Sequence, residues 1–229
     1  MRLLHWVAFA AASAILAGCQ SGVETTPMGT ASASPVENYK DQRMREAMRG
    51  LDYSSGRVTL TAEAKQIAQR GTREEAARLA AEAKATFETN DFPAAIAAYT
   101  RAVIVDPTWA ETYLGLSSAL VAKGRENEAE AAIRTAILLA PQAVDARVAL
   151  ARLIDMRGNS STTIAAWYEV LALSSKVAEA HGRIAIALYY QGNRQEAQHH
   201  VRECERLGGN VPVQFKDLLL TELRTEDRP

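Results

Sequence analysis

Three glycines, Gly124, Gly158 and Gly192, stand 34 residues apart, and Pro107 and Pro141 keep the same interval. A fixed period of that length marks a helix–turn–helix solenoid, whose units cannot bury an apolar face alone and must stack. Counting from the prolines sets four units, 76–109, 110–143, 144–177 and 178–211. Each glycine falls where the first helix of a unit must stop and reverse, and only glycine takes positive φ there cheaply. Asn90 holds that place in the first unit, and asparagine is the next best residue for it. Just ahead, Thr72 and Glu75 make a capping box that starts the repeat region, which is therefore read as 72–211.

Composition agrees with helices. Of the 229 residues 48% are hydrophobic but only 6% aromatic, which favours close-packed helices over a sheet sandwich. The formal net charge is -1. With neither a basic stripe nor an RNA- or DNA-reading motif, no nucleic-acid partner is expected. A glycine-rich phosphate loop, a nucleophile elbow and a paired-carboxylate motif are all missing, so neither an enzyme nor a small-molecule substrate is read here. His199 and His200 are adjacent on a helix and point apart, so they read as a surface pair rather than metal ligands. His181 occupies a large position of its unit, usually a packing role.

Within the units, small residues recur in phase: Ala83, Ser117, Ala151 and Ala185, then Ala95, Ala129, Thr163 and Ala197, then Ala102 and Ala136. Val170 and Cys204 depart from the last set. Tyr99, Ile133, Trp167 and Val201 hold a large position between them. Two helices cross closely only where side chains are small, and the large residues fill the gaps. The pattern resembles the tetratricopeptide repeat over residues 76–211. That resemblance implies an all-α, right-handed helix–turn–helix solenoid of about four repeats. Ser175 and Gly209 replace the closing proline in the last two units, where departures from the family's packing are expected. Residues 212–229 follow, with Pro212 at a helix start and an amphipathic run from Val213 to Leu223, as a cap for the last exposed face.

The first residues are not part of that fold. Arg2 precedes an apolar stretch of about 14 residues, short of the roughly 20 that cross a bilayer. Leu16-Ala17-Gly18-Cys19 then resembles the lipobox of bacterial lipoproteins. The resemblance implies a signal peptide at 1–18, removed by cleavage, with diacylglycerol and acyl chains such as palmitate on Cys19. Several chains on one residue anchor stably where a single chain would be marginal. No other cofactor and no metal are expected. Gln20 follows the cysteine where the lipoprotein pattern uses Asp for inner-membrane retention, which implies an outer-membrane anchor facing the periplasm. Residues 19–40 are the lipidated cysteine and a Ser-, Thr-, Gly- and Pro-containing linker, too poor in bulky apolar residues to order itself. With Cys19 acylated, Cys204 has no disulfide partner and reads as a small buried hydrophobe.

Residues 41–71 read as a degenerate repeat or a helical cap. Met44, Ala47, Met48 and Leu51 keep the spacing of one helix face, Thr61 can cap a second helix, and Gly56 lies two periods before Gly124. An arm that orders only on a partner is the alternative.

By the family resemblance, the first helices line a concave groove. The residues it places there for partner binding are Phe87, Leu114, Val121, Val148, Arg152, Met156, Ile186, Tyr189 and Tyr190. The family's carboxylate clamp is not expected, because Lys84 and Arg152 are the only bases in the groove and no asparagine joins them. A mainly apolar groove suits an amphipathic helix or extended segment. Size, lipobox and repeats together resemble the lipoproteins of the tight-adherence (Tad) pilus. That resemblance implies a pilotin-like adaptor for an outer-membrane secretin. A scaffold for peptidoglycan enzymes and an accessory factor in outer-membrane β-barrel insertion are the alternatives.

Overall fold

The computed structural model describes residues 42–226; the signal peptide, Cys19 and the linker lie outside them. Helix α1 (Ala62–Ala68) precedes four helix pairs. These are α2 (Arg73–Glu88) with α3 (Phe92–Val105), α4 (Ala110–Ala122) with α5 (Glu126–Leu139), α6 (Val144–Met156) with α7 (Ser160–Leu173), and α8 (Ala178–Tyr190) with α9 (Arg194–Arg206). Helix α10 (Val213–Glu226) closes the series. The fold is an all-α solenoid of four helix–turn–helix repeats. The second, third and fourth pairs begin at the first residue of a 34-residue unit. The first begins three residues early, because Thr72 caps it with its hydroxyl accepting from the Glu75 amide at 3.2 Å.

The turns follow from backbone sterics. Gly124, Gly158 and Gly192 have φ of +69°, +75° and +85°, and Asn90 takes φ +62° in the first repeat. A Cβ costs little in that conformation only when a short polar side chain carries it, as at Asn90. Between the helices, the small positions are sealed: Ala83, Ala95, Ala102, Ala129, Ala136, Ala151, Ala185 and Ala197 have no exposed surface. Trp167, fully buried, fills the large position of the third repeat.

Two large core clusters divide within α6, between Ala146 and Val148, and a small third one, Ala76, Leu79, Ala102 and Val105, lies within the first repeat. The first spans the first two repeats and the N-terminal segment. Its centre is Ile96, Val103, Leu116 and Leu120. The second joins the last two repeats to the cap through Trp167, Ile184, Val201, Val211 and Leu219.

Residues 42–71 are neither a repeat nor a purely helical cap. Residues 42–47 are helical, but strands β1 (Leu51–Asp52) and β2 (Thr59–Leu60) then pair antiparallel, Leu51 opposite Leu60. Gly56, in phase with the repeat glycines, sits in the hairpin loop at φ +71° rather than between two helices. The Asp52 carboxylate turns the chain by accepting from the Ser54 amide at 2.9 Å. Met44, Ala47, Leu51 and Val58 are buried in the first core, and the Val58 amide donates to Thr135 Oγ1 of α5 at 2.8 Å. One buried hydrogen bond thus ties the hairpin to the second repeat.

Candidate functional site

The first helices α2, α4, α6 and α8 carry the nine residues expected in the groove, and the structure divides them. Phe87, Leu114 and Val121 are half-buried against the first core, and the Phe87 ring meets Phe92 edge-on at 5.4 Å. Val148 is buried in the second core. These four contribute packing more than surface. Further along, Met156 is 61% exposed, Tyr190 is 76% exposed and Ile186 is half-buried.

Two ion pairs bridge α6 and α8. Arg152 holds Glu179 with both arms of its guanidinium, Nε to Oε1 at 2.9 Å, and Asp155 meets Arg183 at 3.1 Å. A bidentate guanidinium–carboxylate pair is geometrically stiff as well as strong. Arg152 keeps the Glu179 carboxyl below its ordinary range, and Glu179 in turn raises the Arg152 guanidinium. Arg152 is therefore committed within the fold and is not a free cation for a ligand. Ile186 and Tyr190 border a small hollow of about 190 Å³ with Asp155, Arg183 and Thr163. A neighbouring cavity of about 400 Å³ runs from Ile186 and Gly182 to Cys204, Val211 and Pro212. Cys204 is buried, and burial pushes its thiol above the ordinary value.

Tyr189 departs from the expectation of an open groove residue. Its hydroxyl donates to Glu222 at 2.7 Å and its ring meets Phe215 edge-on at 5.4 Å, both on α10. Glu222 also binds Arg194 at 2.5 Å, so the cap is pinned to α8 and the start of α9. Accepting that hydrogen bond, Glu222 raises the phenol of Tyr189 above its ordinary value. The cap occupies Tyr189; only Tyr190 remains free, its ring 5.6 Å from that of Tyr189.

The histidines also depart from expectation. His200 is 5% exposed rather than on the surface, because its partner is His181 on α8, with the two Nδ1 atoms 3.0 Å apart. One proton lies between the rings. The Tyr168 hydroxyl lies 3.1 Å from Glu196 Oε1 and 3.0 Å from His200 Nε2. Burial holds His200 below its ordinary range, and His181 and His199 push the same way against Glu196 and Glu203. Neither a group of three or more metal-ligating side chains nor a helix long and apolar enough to cross a membrane occurs among the described residues.

Comparison with known proteins agrees with this geometry. A family model for the tetratricopeptide repeat matches residues 86–154, from the end of α2 to α6. The solenoid has the tetratricopeptide-repeat fold. Similar solved structures include MamA, with TM-score 0.54 and 23% identity over 63% of this chain and 84% of that one. The RS-1 ArsTM double mutant of MamA gives 0.53 and 14% over 76% and 95%. YrrB, described as a TPR protein with an unusual peptide-binding site, gives 0.50 and 20% over 64% and 75%. No curated protein sequence matches the chain. The tetratricopeptide repeat is a protein-interaction scaffold. Among the described residues of the first helices, the exposed large apolar side chains, Met156 and Tyr190, lie on α6 and α8.

Proposed function

We propose that this protein is a lipid-anchored periplasmic adaptor of the outer membrane, binding a protein partner on the face formed by α6 and α8. The observation that carries the binding role is the exposure of Met156 and Tyr190 on two helices bridged by ion pairs. Covering exposed apolar side chains held on packed helices removes apolar surface from water without reordering the backbone. An amphipathic helix or extended apolar segment fits that strip, and YrrB offers a peptide-binding precedent within the same fold. Cys19 in its lipobox supports the anchor, and Gln20 supports the outer membrane as destination. The resemblance of size, lipobox and repeats to the Tad pilus lipoproteins supports an outer-membrane secretin as the partner, with this chain in a pilotin-like role.

Cys19→Ala releases the chain from the outer membrane on this reading; continued fractionation there contradicts the anchor. Crosslinked pull-down from membranes is expected to recover a ring-forming secretin. Recovery of peptidoglycan enzymes or barrel-insertion components instead would overturn the secretin assignment.

A further inference from the structure

We propose that the cleft between the second and third repeats is a second docking site, for a partner-protein segment with aliphatic residues flanked by carboxylates. It is lined by α5, α6 and α7 together with Arg57 of the hairpin, apart from the α6–α8 face proposed above.

The cleft has a volume of about 470 Å³, within the range of ligand pockets. It opens beside the boundary in α6 between the two core clusters. Its apolar lining includes Ile137, Leu150 and Ile154. On its border Leu138 is 54% exposed. An exposed leucine at the mouth of an apolar-walled cleft is surface that an aliphatic side chain of a protein segment would cover.

Charge selects the polar part of the occupant. Arg57, Arg134 and Arg147 line the cleft, and Glu169 is the only acidic residue lining it. Arg134 is engaged by Glu130 at 2.7 Å and Arg147 by Glu169 at 2.8 Å. Arg57 has no ion-pair partner among the described residues, and Arg147 Nε is buried without a hydrogen-bond acceptor. The open Arg57 guanidinium leaves room for a carboxylate, for which the arginine fork is well matched. The hairpin is held in place for this. Val58, next to Arg57, donates to Thr135, next to Arg134, so the hydrogen bond sets two of the arginines along one border.

The test is fluorescence anisotropy on the purified full chain with two labelled peptides of equal length. One has the core Glu-Leu-Leu-Glu-Leu and the other Lys-Leu-Leu-Lys-Leu. The acidic peptide is expected to bind and the basic one to bind at least about tenfold more weakly. Arg57→Glu combined with Leu138→Ser is expected to weaken the acidic peptide by about tenfold or more. Both positions are exposed, and an unchanged melting temperature and helical circular dichroism confirm that the variant folds. Tyr190→Asp leaves binding of the acidic peptide intact, which separates this cleft from the α6–α8 face. Equal binding of the two peptides, no binding of the acidic one, or loss through Tyr190→Asp but not through the cleft variant would each overturn the proposal.

Discussion

In the first two repeats Pro107 and Pro141 follow the second helices, and the small positions are filled almost entirely by alanine. In the last two, Ser175 and Gly209 stand where those prolines would be, and Val170 and Cys204 replace two of the alanines. The second half keeps its packing by other contacts. His181 Nε2 lies 3.3 Å from the Ser175 carbonyl, joining the turn to the buried histidine pair. At Gly209 an added Cβ would stand 2.7 Å from both Ala178 Cβ and Cys204 Sγ, so the chain approaches α8 more closely than any side chain allows. The caps differ as well. A hairpin and two helical segments cover the N-terminal half, whereas α10 covers the C-terminal end and takes Tyr189 with it. The half that departs furthest from the repeat pattern is also the half that leaves Met156 and Tyr190 in solvent. Loss of the repeat consensus therefore accompanies polar contacts inside and exposed apolar side chains outside.

The sharpest way to break this contrast is Trp167→Ala, which removes the largest fully buried side chain of the second core. A destabilisation of about 3–5 kcal/mol is expected from urea unfolding. Hydrogen exchange should rise first in α7 to α9; equal loosening of α2 to α5 would show that the two cores act as one. Gly209→Ala comes next, at about 1–3 kcal/mol, since the new methyl meets Ala178 and Cys204 and the relief must come from the backbone. The corresponding test of the first half is Thr135→Val, which strands the Val58 amide in the interior. About 1–3 kcal/mol should be lost, with faster exchange confined to the hairpin.

A smaller effect separates the halves by pH. Burial holds the folded His200 below its ordinary value of 6.5, so the unfolded chain takes up a proton that the fold resists. Its contribution is present above that value and is lost as pH falls through the lowered one. The perturbed carboxylates Glu130 and Glu179 lie below 4.5 and add their losses only in stronger acid. The urea midpoint should therefore fall between about pH 7.5 and pH 5, and His200→Gln should flatten that fall. An unchanged slope in the variant would remove His200 from the account. Smallest of all, Tyr190→Asp should alter stability by no more than about 0.5 kcal/mol, because its ring is largely in solvent.

The repeat region was legible because its signals are periodic: the turn glycines, Asn90 and the small residues each recur at a position where sterics admit few alternatives. The hairpin was not legible. Its strands are two residues each, too short for alternation to register, and Gly56 falls in phase with glycines that serve another purpose. The burial of His200 was hidden for a different reason. Its neighbour in sequence is His199, but its ring faces His181, 19 residues away on another helix, and no local pattern announces that pairing. Tyr189 and Tyr190 look equivalent in sequence, one step apart on a helix. Only the return of α10, with Glu222 and Phe215, assigns one to the fold and leaves the other exposed.

Site-specific photocrosslinking from position 190 in intact cells tests the proposed α6–α8 docking face most directly. With benzoylphenylalanine in place of Tyr190, the account predicts a defined adduct to an outer-membrane secretin, with no such adduct from the half-buried position 87. Crosslinks to a secretin from position 87 alone, or none from position 190 while Cys19 still anchors the chain, would contradict it.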